Sequence, residues 1–119
     1  YQRILLRTNL VYTIFKSHAD MMAKKSAGEF KTVTSDISAG GLTFVCRQAP
    51  SAGSLVELKL EWIDGGHPIE CLAKVVRVDA TSQDDAFNAA VAFLDITGAD
   101  RARVEKYIET SSPGAEKQP

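Results

Sequence analysis

The sequence predicts an all-β domain that ends in one α-helix, and three observations support this fold class. Several short segments alternate apolar and polar residues with a period of two, as half-buried strands do. Turn signals rich in Gly, Pro and Asp separate these segments roughly every ten residues, which is typical of an antiparallel barrel or sandwich. Near the C-terminus the period changes to that of an amphipathic helix. The 119 residues suit a single domain.

Six strands are predicted, in the ranges 8–16, 29–38, 42–47, 55–62, 68–79 and 87–95. The clearest is 55–62, in which Val56, Leu58, Leu60 and Trp62 alternate with a largely polar face. The middle of 68–79 is apolar on both faces, which suggests a bent strand shared by two parts of a barrel. The polar segment Ser17 to Gly28 interrupts the pattern, and we expect a loop there rather than a helical turn.

One helix is predicted from Arg101 to Glu109. It follows Thr97-Gly98-Ala99-Asp100, which has a Thr three residues before an acid, as helix N-termini often do. Residues 111–119 are polar and contain Gly and Pro, so we expect a disordered tail. The helix should pack against the sheet through an apolar stripe formed by Val104, Tyr107 and Ile108.

Composition argues against several classes of function. The net charge is −1, so no global basic field would attract nucleic acid, and no apolar run is long enough to span a bilayer. Cys46 and Cys71 lie in apolar strand-like runs without nearby ligands, so we expect buried thiols, no metal site and a cytoplasmic, reducing environment.

One stretch, Asp36-Ile37-Ser38-Ala39-Gly40-Gly41, is not explained by packing alone. Asp36 and Ser38 are two residues apart, so in a strand they should share the outer face. Val33, Ser35 and Ile37 should then face inward. We expect Gly40 and Gly41 to supply positive φ angles and an exposed backbone that a ligand can approach.

A second polar pair lies at the N-terminus, where Arg3 and Arg7 flank Ile4, Leu5 and Leu6. In an extended arm these arginines would be two basic groups on either side of an apolar anchor. Taken alone, they are simply two solvated arginines on a frayed terminus.

Together, the order of these motifs resembles the PilZ domain family over residues 1–110. An Arg-x-x-x-Arg motif, Arg3 to Arg7, precedes a strand, and Asp36, Ser38 and Gly41 follow as Asp-x-Ser-x-x-Gly. The segment from Ser17 to Gly28 is long for the family's first connection. The resemblance implies a six-stranded antiparallel β-barrel with one C-terminal α-helix.

The resemblance also implies a bacterial receptor for the second messenger cyclic di-GMP, which controls motility and biofilm growth. The ligand-binding residues would be Arg3, Arg7, Asp36, Ser38, Gly40 and Gly41, with Arg77 as an additional contact. An arm at 1–8 would be flexible, become ordered on the ligand and relay the signal to an effector protein or to a neighbouring domain of a longer chain.

An alternative within the family is a protein-interaction adaptor that does not bind the nucleotide. Catalysis is not expected, because Ser38 has no His close in sequence and no cluster of metal ligands or cofactor motif is present.

Overall fold

The computed structural model describes residues 3–48 and 50–111, and the strands follow the predicted ranges closely. Two elements were not expected: a two-residue first strand and a short helix. In chain order the elements are β1 (Ile4–Leu5), β2 (Asn9–Phe15), α1 (His18–Met22), β3 (Gly28–Ser38), β4 (Gly41–Cys46), β5 (Leu55–Leu60), β6 (Ile69–Ala80), β7 (Phe87–Asp95) and α2 (Gly98–Ser111).

Six of the strands close into an antiparallel barrel. Their order is β3-β2-β5-β6-β7-β4, and β4 pairs back onto β3 to complete the ring. The additional strand β1 pairs with the end of β3, beyond the part of β3 that pairs with β2. The predicted fold class, a six-stranded antiparallel barrel with a C-terminal helix, is confirmed.

The core fills the barrel with the inward faces that the alternation predicts. Val56, Leu58 and Leu60 of β5 are each at most 2% exposed. An aromatic cluster lies among them: the ring of Tyr12 is 4.6 Å from that of Phe44 and 5.3 Å from that of Phe30. Large aromatic side chains contribute a substantial share of the apolar area that a small core buries.

The bend predicted in the long strand is also present. The register between β6 and β7 shifts twice, between Leu72 and Ala73 and between Val75 and Arg77. Such bulges bend a strand and increase its twist. They allow the twelve residues of β6 to pair with both β5 and β7 around the closed barrel.

Helix α2 begins three residues earlier than predicted, and the predicted cap is confirmed. The hydroxyl of Thr97 accepts a hydrogen bond from the Asp100 amide at 3.1 Å, and its carbonyl accepts one from the Arg101 amide. Val104 is 1% exposed and anchors the apolar stripe on the barrel. Of the predicted tail, Ser111 ends α2, and the remainder lies outside the described residues.

The expectation of a loop over Ser17 to Gly28 is wrong in its first half, where α1 forms. The Ser17 hydroxyl accepts a hydrogen bond from the Asp20 amide at 3.1 Å and so caps the helix. Apolar periodicity does not reveal this helix, because its five residues include no buried side chain. Within the described residues, neither α1 nor α2 combines the length and the hydropathy that a membrane-crossing helix needs.

Candidate functional site

The two sequence motifs meet at the end of β3. Strand β1 pairs with β3 so that Leu5 lies opposite Asp36. Next to this pair, the guanidinium of Arg3 donates a hydrogen bond to the Asp36 carboxylate, with 2.7 Å between Nη1 and Oδ1. The two side chains are 47% and 28% exposed, so this ion pair lies at the surface. Residues 33 positions apart in the chain therefore form one polar surface.

The arm that carries the arginines is anchored by its apolar residues. Ile4 and Leu6 are 8% and 3% exposed, and the Leu6 amide donates a hydrogen bond to the Ser35 carbonyl at 3.2 Å. On the outer side, the Tyr107 hydroxyl of α2 donates to the Leu5 carbonyl at 2.8 Å. Mobility of the arm without ligand stays a prediction, and these contacts are what such motion would have to break.

Arg7 occupies an irregular position in the pairing with β3. Leu5 lies opposite Asp36 and Asn9 opposite Val33, so residues 6, 7 and 8 face only residues 34 and 35. The arm therefore has one extra residue, as in a β-bulge. Arg7 is that residue, because its neighbours on both sides hydrogen-bond to β3. Its side chain is exposed, and it takes part in none of the salt bridges among residues 3–48 and 50–111.

A second irregularity lies on the other edge of β3 and changes the predicted faces. Thr34 lies opposite Phe44 and Asp36 opposite Thr43, so Ser35 is an extra residue relative to β4. The expectation that Ser35 points inward is wrong: Thr34 is buried instead, and the Ser35 hydroxyl lies 3.5 Å from the exposed Asn88 side chain. Ile37 faces the core as predicted, and Asp36 faces outward.

Ser38 does not present its hydroxyl to solvent, as the alternation suggested. It is 4% exposed, and its oxygen accepts a hydrogen bond from the Gly40 amide at 3.3 Å and donates to the Gly41 carbonyl at 3.4 Å. The side chain therefore stabilises the turn between β3 and β4. A direct contact of Ser38 with ligand stays a prediction.

Glycine is required at position 41 for a different reason from the one predicted. Neither Gly40 nor Gly41 has a positive φ, so that expectation is wrong. Instead, a Cβ on Gly41 would lie 1.9 Å from the carbonyl oxygen of Val91 in β7. The Gly40 carbonyl accepts a hydrogen bond from the Phe93 amide at 2.9 Å. Gly41 thus allows β4 and β7 to approach closely beneath the site.

Arg77 lies on the same outer surface but at some distance. The strand register leads from Asp36 to Thr43, from Thr43 to Ala90 and from Ala90 to Arg77. Three strand spacings of about 4.8 Å separate the two ends of this row by roughly 14 Å. The two residues between them, Thr43 and Ala90, are buried. Arg77 is already paired with Asp79, with 2.6 Å between Nε and Oδ2.

The candidate site is an open surface rather than a deep cavity. A concavity of about 560 Å³ is lined by β2, β5 and β6 residues such as Val11, Glu57 and Glu70, and by none of the predicted site residues. Cys71 borders this concavity, and burial, together with nearby carboxylates, raises its pKa to about 12. Burial also raises the pKa of Cys46. Protonated thiols are poor nucleophiles, so neither cysteine is prepared for covalent catalysis.

Two residues near the site were missed at the level of sequence. Thr34 is a buried strand residue that hydrogen-bonds to the arm, and Tyr107 was interpreted only as part of an apolar stripe. For Thr34, the only signal in the sequence was the Val and Thr content of its strand. Nothing local to Tyr107 indicates a partner 102 residues away.

Replacing Tyr107 with Phe should loosen the arm. The variant keeps the aromatic contact with Trp62, whose ring lies 5.7 Å away, but loses the hydrogen bond to Leu5. We expect faster amide hydrogen exchange at Leu6 and a decrease of about 1 kcal/mol in the free energy of unfolding. Unchanged exchange at Leu6 would show that α2 does not hold the arm.

Comparison with known proteins identifies related folds. A family model for the PilZ domain matches residues 2–110. No curated protein matches the chain by sequence. The chain is similar in structure to the Bacillus subtilis inhibitor of motility MotI/DgrA, with a TM-score of 0.70 and 19% identity. That match covers 98% of this chain and 51% of the other, so the chain spans about half the length of MotI/DgrA.

Two isolated PilZ domains are similar over nearly their whole length. One belongs to CeSA from a cellulose synthesizing bacterium, with a TM-score of 0.58, 14% identity and coverage of 91% of this chain and 95% of that one. The other is the PilZ domain of Escherichia coli YcgR with c-di-GMP, with a TM-score of 0.58, 11% identity and coverage of 98% and 96%. At these identities the likeness concerns the fold.

Proposed function

This chain belongs to the PilZ domain family, and on that premise we propose that it binds cyclic di-GMP where β1, β3 and β4 meet. The observation that carries the proposal is the contact of Arg3 with Asp36, which unites both sequence motifs on one exposed surface. The similar domain of YcgR, whose structure includes c-di-GMP, adds support. The proposed environment is the cytoplasm, and the proposed role is binding rather than catalysis.

The residues of this surface complement the chemistry of the ligand. Cyclic di-GMP carries two phosphodiester charges and two guanines. A guanine presents O6 and N7 acceptors, which suit the planar fork of arginine, and N1–H and N2–H donors, which suit the Asp36 carboxylate. Arg3 and Arg7 supply positive charge for phosphate and guanine.

Ligand binding would change the arm by replacing an existing contact. Asp36 pairs with Arg3 in this structure, so a guanine edge that reaches the carboxylate would compete with that pair. Arg3 would then turn toward phosphate or base, and β1 would reorder around it. Because Tyr107 holds the Leu5 carbonyl, this change reaches α2 and the surface that an effector protein or neighbouring domain contacts.

Calorimetric titration tests the proposal. The wild type should bind cyclic di-GMP at micromolar concentration, and Asp36→Ala should weaken binding at least about tenfold, since a hydrogen bond to a charged group contributes about 1.5–3 kcal/mol. Cyclic di-AMP should bind poorly, because adenine has no N1–H donor. Asp84→Ala, which removes an exposed carboxylate from the turn between β6 and β7, is the matched control. No binding by the wild type at tens of micromolar would refute the proposal.

Hydrogen exchange separates this function from that of an adaptor that does not bind the nucleotide. A receptor should show a change in amide exchange over residues 1–10 when cyclic di-GMP is added. An adaptor would show the same exchange with and without it.

A further inference from the structure

We propose that Thr34 is a positioning residue that sets the direction of Arg7, an inference that rests on the proposed function. Thr34 belongs to neither sequence motif and is 1% exposed, so it cannot touch a ligand on the outer surface. Its importance follows from its hydrogen bonds to the arm. These bonds involve the residues immediately before and after Arg7.

The Thr34 side chain completes the hydrogen bonding of the bulge. Its Oγ1 accepts a hydrogen bond from the Thr8 amide at 3.0 Å and donates one to the Leu6 carbonyl. Its own amide donates to the Thr8 carbonyl at 2.9 Å. An extra residue in a strand leaves backbone groups without ladder partners, and here a single hydroxyl serves one donor and one acceptor.

Few side chains could take this place. The site requires a buried group that donates and accepts at one atom, and among strand-forming residues threonine combines that hydroxyl with a β-branched carbon. Valine has nearly the same shape, but it would leave the Thr8 amide and the Leu6 carbonyl without their partner. The backbone around Arg7 would then lose the contacts that define its path over β3.

The two arginines of the motif consequently have different roles. The backbone on both sides of Arg7 is held by hydrogen bonds to Thr34. The guanidinium of Arg7 forms no salt bridge with a described carboxylate, so it can bind an anion without first breaking an ion pair. Arg3 must leave Asp36 before it can engage an anion. Because Thr34 lies two residues before Asp36 on the same strand, it also holds Arg7 in register with that carboxylate.

The experiment compares cyclic di-GMP affinities of Thr34→Val, Thr34→Ser and Thr32→Val by calorimetry. Thr32 is the matched control, because its hydroxyl also donates to a backbone carbonyl, that of Val45, and makes no hydrogen bond to the described residues of the arm. We expect Thr34→Val to weaken binding about tenfold, as for groups coupled in one hydrogen-bond network. Thr34→Ser keeps the hydroxyl and should bind within about twofold of wild type, as should Thr32→Val.

A double-mutant cycle with Arg7→Lys distinguishes positioning from general stability. Lysine keeps the charge, so binding remains measurable, but it lacks the fork that Thr34 would direct. If Thr34 acts through Arg7, adding Thr34→Val to Arg7→Lys should cause little further loss of affinity. Additive losses would overturn the inference, and so would unchanged affinity in Thr34→Val while Asp36→Ala binds weakly. A wild type that does not bind at all would instead refute the proposed function, and the inference with it.

Discussion

Gly41→Ala is expected to destabilise the barrel by about 3 kcal/mol or more, which is a large share of the 5–15 kcal/mol typical of a domain. The new Cβ would lie 1.9 Å from the Val91 carbonyl oxygen and 3.1 Å from the Ala92 Cα. Both are backbone atoms of β7, and Gly41 itself lies opposite Ala92 in the β4–β7 ladder. The overlap can therefore be relieved only by separating two strands of the closed barrel.

Urea denaturation of wild type and variant measures this loss. Gly98→Ala is the matched control, because Gly98 also lacks a positive φ, has no heavy atom within 4 Å of an added Cβ and begins α2. That change should alter the free energy of unfolding by less than about 0.5 kcal/mol or stabilise the protein slightly. A Gly41→Ala protein within about 1 kcal/mol of wild type would show that β4 and β7 are not in such close contact.

Arg7→Ala is expected to cause the largest loss of affinity for cyclic di-GMP, about 100-fold. The guanidinium of Arg7 does not need to leave a described partner, so all of its interaction with an anion contributes to binding. A bidentate, charge-assisted contact contributes roughly 3 kcal/mol, which corresponds to about two orders of magnitude in Kd. Arg3→Ala should reduce the affinity less, because Arg3 must first break its pair with Asp36 before it can contact the ligand.

Calorimetric titrations of wild type, Arg7→Ala and Arg7→Lys with cyclic di-GMP test these expected affinities. Lysine restores the charge without the fork, so its affinity should lie between the other two, and wild-type binding should weaken with added salt. Arg101, exposed on α2, provides the control substitution Arg101→Ala, which should leave Kd unchanged. Binding by Arg7→Ala that equals that of the wild type would place the anion contact elsewhere.

The sequence alone predicted the six barrel strands, helix α2 and the two motifs of the candidate site. Alternation, together with β-branched and aromatic content, identified the six barrel strands, since both are local features of a strand. The Thr97 cap and the Val104 stripe predicted α2 for the same reason. Helix α1 was missed because it buries no side chain and leaves no periodic signal.

What the sequence could not show depends on register between strands that are distant in the chain. The extra residue at Ser35 places Thr34 in the core and Ser35 outside, against the simple alternation, whereas Asp36 and Ile37 keep their predicted faces. The extra residue at Arg7 lies in the arm and shifts its pairing with β3. The need for glycine at position 41 comes from a β7 backbone 50 residues later, and Tyr107 reaches Leu5 across 102 residues. Such contacts exist only once the barrel closes, since closure sets which backbone groups of separate strands lie within hydrogen-bonding distance.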